Sequence, residues 1–501
     1  MRGLLKGFLS RFMRATGANV AVMFGLSIIP IIAAGGTALD FSRAMAVKSR
    51  LSNALDASGL AVGASIGTSQ AQMLDIATKY FNANYPEDEI GATSNLTISA
   101  VGDQITISAS ARVETTLLGL VGIDYIDVST SSTIVRESKG LEVVLVADNT
   151  GSMDDNGKIG SLRQAATDLV NILFGDQAAP TKLRMGIVPF SQTVRLNPST
   201  AVSRGWIDTT GTSSVARLNF DGGYHAYTMY PRLRNQSWRG CVEARPGGLE
   251  ELDTAPSSGA PDTRWVPYFH PDEPDNNDAA GQPRFPNTYI SDGLSLSTAP
   301  LTRQRNNAKY VNRNTSGPHR GCSLTEILPL TNVKATILSK ITALTADGFT
   351  HIPIGLAWGW RVLSPTEPFT EGVSFSDNDW NKALILLTDG LNTVDDRNNM
   401  NGSTYSAWGY LSQMRMGTGI DTEAEAVTEQ NAQTGRMCTR IKDAGVRVYT
   451  ILFMISDATL ANLFRTCASE PGLYFNSPTT SQLQTVFRAI AQDLSNLRIA
   501  Q

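Results

Sequence analysis

Residues 141–152 read LEVVLVADNTGS. The nearly continuous apolar run of residues 141–147 is typical of a central parallel strand that is buried on both faces. A carboxylate and two hydroxyls, those of Asp148, Thr150 and Ser152, follow at alternate positions. Because open α/β sheets bind ligands at the carboxyl ends of their parallel strands, this stretch predicts a buried sheet and a binding site at its edge.

Apolar strands alternate with helical patterns over the rest of residues 139–501. The predicted strands are Leu141–Ala147, Arg184–Phe190, Ala383–Leu387 and Val446–Phe453, and the predicted helices are Ile159–Phe174, Thr422–Ala444, Thr459–Ala468 and Thr480–Leu497. This alternation predicts an α/β fold with a doubly wound, mostly parallel sheet.

Two stretches interrupt this alternation. Residues at about 197–328 are rich in Pro, Gly, Asn, Asp and Arg, and they include three tryptophans and two cysteines. The aromatic residues and cysteines indicate an ordered insertion rather than a free linker. Residues 391–420, which follow Asp389, form a second and smaller insertion.

The first forty residues have a basic start followed by a long uncharged run. Arg2, Lys6, Arg11 and Arg14 precede residues 15–39, which contain no charged residue. About 20 apolar residues suffice to span a membrane, and flanking positive charge stays cytoplasmic. We therefore expect residues 1–40 to anchor the chain in a bacterial inner membrane by a single span, with the bulk of the chain periplasmic. A cleaved secretory signal would export the same residues, and a buried soluble helix is the third alternative.

Residues 41–138 are predicted to form a helical stalk with a small antiparallel sheet. The helical pattern continues to about Ala64, and a second helix fits Gln70–Asn84. Alternating apolar and polar residues then predict strands at Leu96–Val101, Gln104–Glu114 and Ile126–Val135, with a turn at Gly102-Asp103.

Charge and cysteine content narrow the class of protein. The chain has 501 residues, 42 Lys and Arg against 46 Asp and Glu, and a net charge of -4, which argues against a nucleic-acid ligand. All four cysteines follow the predicted anchor, as expected for an exported protein with disulfides. We expect Cys241 to pair with Cys322 and Cys438 with Cys467, although the sequence permits three pairings.

The candidate site residues are Asp148, Thr150, Ser152, Thr350 and Asp389. Asp389 ends a second buried strand, and Thr350 precedes a helix-like stretch. Carboxylate and hydroxyl oxygens suit a hard divalent cation, with Mg²⁺ expected first and Ca²⁺ or Mn²⁺ as alternatives. The other possibility is that these side chains only cap helices and hold no metal.

This constellation resembles the metal-ion-dependent adhesion site of the von Willebrand factor A domain. That family has D-x-S-x-S after its first strand, a Thr in a second loop and an Asp in a third. Thr150 replaces the usual Ser but keeps the hydroxyl. The resemblance covers roughly residues 140–196 and 329–500, and it implies an A-like fold that binds a carboxylate of a protein partner through the metal.

The N-terminal part resembles the TadE/TadG-like group of Tad/Flp pilus-assembly proteins. The resembling segments are AVMFGL (21–26), ALDFSRA (38–44) and LSNALDASGLAVGA (51–64). Met23 stands where the pseudopilin members carry Glu, which favours an uncleaved, TadG-like anchor. The resemblance implies partners in the pilus-assembly machinery or among the pilins. A small-residue stripe after Asp40 would pack against pilin-like helices or against the stalk's own sheet; it comprises Ala44, Val47, Leu51, Ala54, Ser58 and Ala61.

Three classes of function remain after these observations. A binding protein without enzymatic activity is the favoured class, because the sequence has no recognised catalytic motif and the ligand set provides no evident general base. A metal-independent structural stalk is the second class, and a metal-dependent hydrolase built on Asp148 and Asp389 is the third. Trp358-Gly359-Trp360-Arg361, after the Thr350 loop, would either receive a partner chain or pack against the first insertion.

Overall fold

The chain divides into two units between Ser138 and Lys139. A computed structural model describes residues 16–65, 70–86, 91–101, 104–135, 139–275, 285–322, 325–477 and 479–497. The basic residues of the N-terminus and the predicted turn at Gly102-Asp103 lie outside the described residues.

The first unit is a long helix, a short helix and a three-stranded antiparallel sheet. Its elements are α1 (Thr16–Gly63), α2 (Gln70–Asn84), β1 (Ala92–Val101), β2 (Gln104–Glu114) and β3 (Tyr125–Val135), with strand order β1-β2-β3. The structure thus has the helices and strands predicted for residues 41–138, with the first and third strands beginning earlier than expected.

The two halves of α1 differ in their surroundings. The second half packs on the sheet, where Val47, Leu51 and Leu55 share a core with alternate residues of β2 such as Ile107 and Val113. The small-residue stripe therefore covers its own sheet, and a side chain at Gly59 would come within 2.1 Å of Ile134 Cδ1.

Within the first half of α1, large apolar side chains are exposed, including Met23 (71%) and Phe24 (66%). Among the described residues, the helix from Val22 to Gly63 is the one candidate membrane span. Apolar surface on every side of a helix needs a lipid or protein environment. The observed helix therefore matches the predicted anchor in length and composition.

Asp40 lies on α1 between these two halves. Its carboxylate accepts hydrogen bonds from the backbone amides of Thr116, Leu117 and Leu118 at 3.0, 2.9 and 2.8 Å. Three donors on one carboxylate fix the loop between β2 and β3 against the helix.

The second unit contains a six-stranded sheet between two layers of helices. Its strand order is β11-β10-β9-β4-β5-β8, and every neighbouring pair is parallel except β5 with β8. The strands are β4 (Gly140–Asp148), β5 (Leu183–Phe190), β8 (Leu328–Thr331), β9 (Trp380–Thr388), β10 (Arg447–Phe453) and β11 (Tyr474–Ser477), and β6 (Val194–Arg195) pairs with β7 (Cys241–Val242) outside this sheet. The predicted doubly wound, mostly parallel sheet is confirmed.

Helices cover both faces of the sheet. The elements are α3 (Lys158–Phe174), α4 (Pro198–Ser203), α5 (Ala226–Met229), α6 (Pro300–Gln304), α7 (Lys334–Thr342), α8 (Ile352–Leu363), α9 (Glu423–Asp443), α10 (Ala458–Cys467) and α11 (Thr480–Leu497). Helices α3, α7 and α11 share one hydrophobic core, and α8, α9 and α10 share the other. Val144 and Val146 face the second core while Val143 and Leu145 face the first, as the alternation of a strand requires.

The first insertion, residues 197–328, continues one of these cores. Trp206, Trp238 and Trp265 are buried in the same apolar cluster as α8. The predicted disulfides are present, with Cys241 bonded to Cys322 and Cys438 to Cys467. The described part of the insertion is therefore an ordered extension of the α/β unit, as predicted.

The second insertion, residues 391–420, packs against the first. Ala244 N donates to Ala407 O at 2.8 Å, and the buried Arg415 guanidinium donates to Glu243 Oε2 at 2.6 Å. Tyr405 OH donates to the other oxygen of Glu243 at 2.5 Å. These bonds fasten the two insertions to each other within the second unit.

Candidate metal-binding site

The carboxyl end of β4 places Asp148 at the centre of the site. The side chain is fully buried, and each carboxylate oxygen has a donor: Thr150 N at 2.9 Å on Oδ1 and Thr388 Oγ1 at 2.6 Å on Oδ2. Since Thr388 is the last residue of β9, the neighbouring parallel strand orients the Asp148 carboxylate.

Three hydroxyl groups lie beside this carboxylate. Thr150 Oγ1 is 3.1 Å from Ser152 Oγ, and Thr350 Oγ1 donates to Thr150 Oγ1 at 3.2 Å. The loop after β4 and the loop before α8 are held together by a backbone bond from Gly151 N to Gly348 O at 2.9 Å. These loops bring the predicted hydroxyl residues into one cluster.

Asp389 completes the cluster from the end of β9. Its Oδ1 accepts from Ser152 Oγ at 2.8 Å, and its Oδ2 accepts from Lys158 Nζ at 2.8 Å. The structure thus joins all five predicted residues, Asp148, Thr150, Ser152, Thr350 and Asp389, in one hydrogen-bonded cluster, with Asp148 linked through the backbone amide of Thr150.

Lys158 is the site residue that the sequence reasoning missed. It is the first residue of α3, and its side chain is 11% exposed. A basic residue is unfavourable at the positive end of a helix. That unfavourable position was the available sign that Lys158 has a charged partner elsewhere.

The electrostatics of the site indicate an excess of buried negative charge. Burial, followed by the nearby negative charge of Asp389, raises the pKa of Asp148 to about 7. Asp148 retains its proton easily because two carboxylates share the site, and the positive charge of Lys158 balances the negative charge of only one of them. A divalent cation would supply the missing positive charge.

The donor set is compatible with such a cation. Two carboxylates and three hydroxyls are hard oxygen donors of the type that Mg²⁺, Ca²⁺ and Mn²⁺ take. No group of three or more His, Cys, Asp or Glu side chains in the described residues is placed to hold a metal, so any metal here depends on the hydroxyls. The role of these five residues as ligands stays a prediction.

The site opens to the surface on one side. Gly151, Asp154 and Leu391 are exposed around the half-buried Ser152. A side chain at Gly390 would lie 3.1 Å from Thr350 Oγ1, so glycine keeps the space above this hydroxyl free. Ser152 is therefore the member of the cluster that lies nearest to solvent, whereas Thr150 and Thr350 are buried.

Two groups of residues near the site, Trp358–Arg361 and His351, are buried and pack inside the second unit. Trp358 and Arg361 are buried in α8, and the Arg361 guanidinium donates to Leu252 O at 3.0 Å and Glu250 O at 2.6 Å. Of the two alternatives for residues 358–361, the structure shows packing against the first insertion. These buried residues therefore provide no surface for a partner chain. His351 is also buried, and its ring contacts that of Trp408 with the two planes tilted by 37° and the centroids 5.5 Å apart.

The strand order and the helices on both faces of the sheet give the second unit the doubly wound α/β fold of a von Willebrand factor A-like domain. Residues 18–65 match the family model described as "Putative Flp pilus-assembly TadE/G-like". The chain therefore joins a TadE/G-like N-terminal segment to an A-like domain. Among curated protein sequences, none matches the chain.

Several solved structures are similar in outline. The vWF domain of the type V pili tip protein Mfa5 from Porphyromonas gingivalis is 12% identical with a TM-score of 0.34, and the match covers 73% of this chain and 97% of that one. The pilus adhesin SpaC from Lactobacillus rhamnosus GG, in its open conformation, is 12% identical with a TM-score of 0.34, covering 82% of this chain and 34% of that one. The pilus adhesin RrgA from Streptococcus pneumoniae is 12% identical with a TM-score of 0.31, covering 80% and 49%. The chain thus spans half or less of the two longer adhesins, and similarity this weak carries no functional information.

Proposed function

We propose that this chain is a membrane-anchored envelope protein of a Tad/Flp-type pilus system, whose A-like domain binds a protein partner through a divalent cation. The observation that carries the proposal is the convergence of two carboxylates and three hydroxyls at the carboxyl ends of the central strands β4 and β9. Asp148, Thr150, Ser152, Thr350 and Asp389 would hold the cation, directly or through water. The cation would keep one coordination position open, and a carboxylate of the partner would bind there.

The cellular part of the proposal rests on the first unit and on the disulfides. The TadE/G-like segment, residues 18–65, spans α1, and the exposed apolar side chains in the first half of this helix support an anchor in the inner membrane. Two disulfides support an exported second unit, since such bonds persist in oxidising compartments. The partner would then be a pilin or a component of the pilus-assembly machinery, met on the periplasmic side.

A binding role fits the site better than hydrolysis does. A hydrolase needs a base that is free to take a proton. Both oxygens of Asp389 are engaged, by Ser152 and Lys158, and both oxygens of Asp148 accept from Thr150 and Thr388. The carboxylates are therefore arranged to orient hydroxyls and a cation rather than to activate a nucleophile.

The test is metal-dependent stabilisation of the full chain in detergent micelles. All seven tryptophans lie between residues 206 and 408, so their fluorescence reports on the second unit alone. We expect Mg²⁺, Ca²⁺ or Mn²⁺ to raise the melting temperature above its value in EDTA. A cation at 100 times its Kd adds about 2.7 kcal/mol to the free energy of unfolding.

Two matched variants test whether the cation acts at this site or at carboxylates elsewhere on the surface. Asp389→Asn should abolish the metal-dependent rise, whereas Asp396→Asn, at an exposed carboxylate in the second insertion, should retain it. Capture of pilin or assembly proteins from envelope extracts should then require the same cation and fail with Asp389→Asn. A chain with no ion-dependent shift and no ion-dependent capture would instead be a metal-independent structural stalk.

A further inference from the structure

Lys158 places a positively charged group of the chain itself in the proposed metal site. Lys158 Nζ lies 2.8 Å from Asp389 Oδ2, with the two side chains 11% and 0% exposed. This is a buried ion pair rather than a surface contact, and it engages a residue that the proposed metal site needs. The ammonium and a divalent cation therefore compete for the same carboxylate.

The position of Lys158 argues that this pair has a role beyond ordinary packing. As the first residue of α3, its ammonium adds positive charge at the positive end of the helix, and the first turn of α3 contains no acidic residue to offset it. Burying an ammonium is also unfavourable without a partner. Asp389 is the partner that compensates for both effects.

Lys334 provides a comparison within the same unit. It is likewise the first residue of a helix, α7, but its Nζ donates to the backbone carbonyl of Gly175 at 2.8 Å. Within the described part of this unit, two helices thus begin with lysine, and of these two lysines Lys158 is the one whose ammonium is paired with a carboxylate of the site.

We propose that Lys158 is an internal counter-ion, which holds Asp389 in place when no metal is bound and lowers the affinity of the site for divalent cations. The inference rests on the proposed metal site. It implies that the cation alone binds weakly and that a partner's carboxylate, by completing the ligand set, shifts the competition toward the metal.

The experiment measures cation binding and metal-free stability in the full chain, in detergent micelles. Mg²⁺ and Mn²⁺ affinities come from calorimetric titration, and stability in EDTA comes from tryptophan fluorescence. Lys158→Met should bind the cation about tenfold more tightly or better, since one competing unit charge is removed next to the ligands. The same variant should melt at a lower temperature in EDTA, because Asp389 loses its counter-ion. Lys158→Arg should stay near the wild type, and Lys334→Met should leave affinity unchanged.

A double variant separates charge from packing. Lys158→Met with Asp389→Asn removes both charges, so it should regain most of the metal-free stability that Lys158→Met loses. If the double variant is as unstable as Lys158→Met, the loss comes from packing and the counter-ion role is wrong. If Lys158→Met folds only with metal present, the counter-ion role is supported directly.

The outcomes distinguish this inference from the proposed function. Tighter binding by Lys158→Met than by a wild type that also binds supports both. Binding by Lys158→Met alone supports the counter-ion and overturns binding of the cation by the natural chain in the absence of a partner. Equal or weaker binding by Lys158→Met overturns the counter-ion and leaves the metal site standing. No binding by either protein overturns both.

Discussion

Gly359 of α8 packs directly against the central sheet, and Gly359→Ala should destabilise the second unit. A Cβ at this position would come within 2.3 Å of Val146 Cγ2 on β4 and 3.1 Å of Leu384 Cδ1 on β9. Ordinary carbon contacts are about 3.5–4.0 Å, so the added methyl overlaps Val146 by more than about 1 Å. Valine has little rotamer freedom with which to relieve the overlap.

The size of the effect follows from two opposing terms. Overpacking a filled core costs about 1–3 kcal/mol, and Val146 and Leu384 are both fully buried. Replacing glycine by alanine inside a helix recovers up to about 1 kcal/mol of helix propensity. Because the overlap falls on a stiff side chain in the sheet, the packing term should exceed the propensity term.

Gly435→Ala in α9 is the matched control. Its Cβ would meet Leu463 Cδ1 at 3.8 Å, an ordinary contact, so this variant should be stabilised by up to about 1 kcal/mol. Urea unfolding of the full chain, followed by tryptophan fluorescence, gives both free energies. Equal or greater stability of Gly359→Ala relative to the wild type would refute the packing argument.

Two further predictions concern pH and covalent structure. All four histidines are buried, and burial lowers the pKa of each, to about 3 for His270 and about 4 for His319 and His351. Because the unfolded chain then binds more protons on these histidines below pH 6.5, their contribution to stability should be complete above that pH and be lost progressively toward pH 4. His270→Gln should therefore lose less stability than the wild type over this range in acid-unfolding curves, and an identical loss would contradict the argument. Replacing both Cys438 and Cys467 by alanine opens a loop with a sequence separation of 29, which should lower the free energy of unfolding by about 3–4 kcal/mol. Urea unfolding of the variant and of the wild type with both disulfides intact measures this difference, and equal stability of the two would contradict it.

Strong periodicity explains why so much of the fold was predictable. Nearly continuous apolar strands such as β4 and long amphipathic helices such as α11 carry their pattern over many residues. The edge strands β8 and β11 have four residues each, too few to show a period, and β8 contains a proline. Both were therefore missed, as was α7 between the first insertion and the Thr350 loop.

The sequence predicts those site residues that directly follow a strand. Asp148 and Asp389 end neighbouring strands, so their proximity follows from the topology of the sheet. Lys158 reaches Asp389 only through the orientation of α3, and the burial of Arg361 depends on carbonyls of the first insertion more than a hundred residues earlier. Contacts of that kind depend on tertiary packing and leave no local pattern.

The site residues lie far apart in the sequence, and this separation determines when the site forms during folding. Ser152 and its acceptor Asp389 are 237 residues apart, and Thr388 and Asp148 are 240 apart. Contacts so distant in sequence form late in folding, because a long loop must close first. Synthesis runs from the N-terminus, so a nascent chain contains Asp148 long before β9 exists. The cluster is therefore a mark of a completed molecule, and a partner that recognises it discriminates finished subunits from unfinished ones.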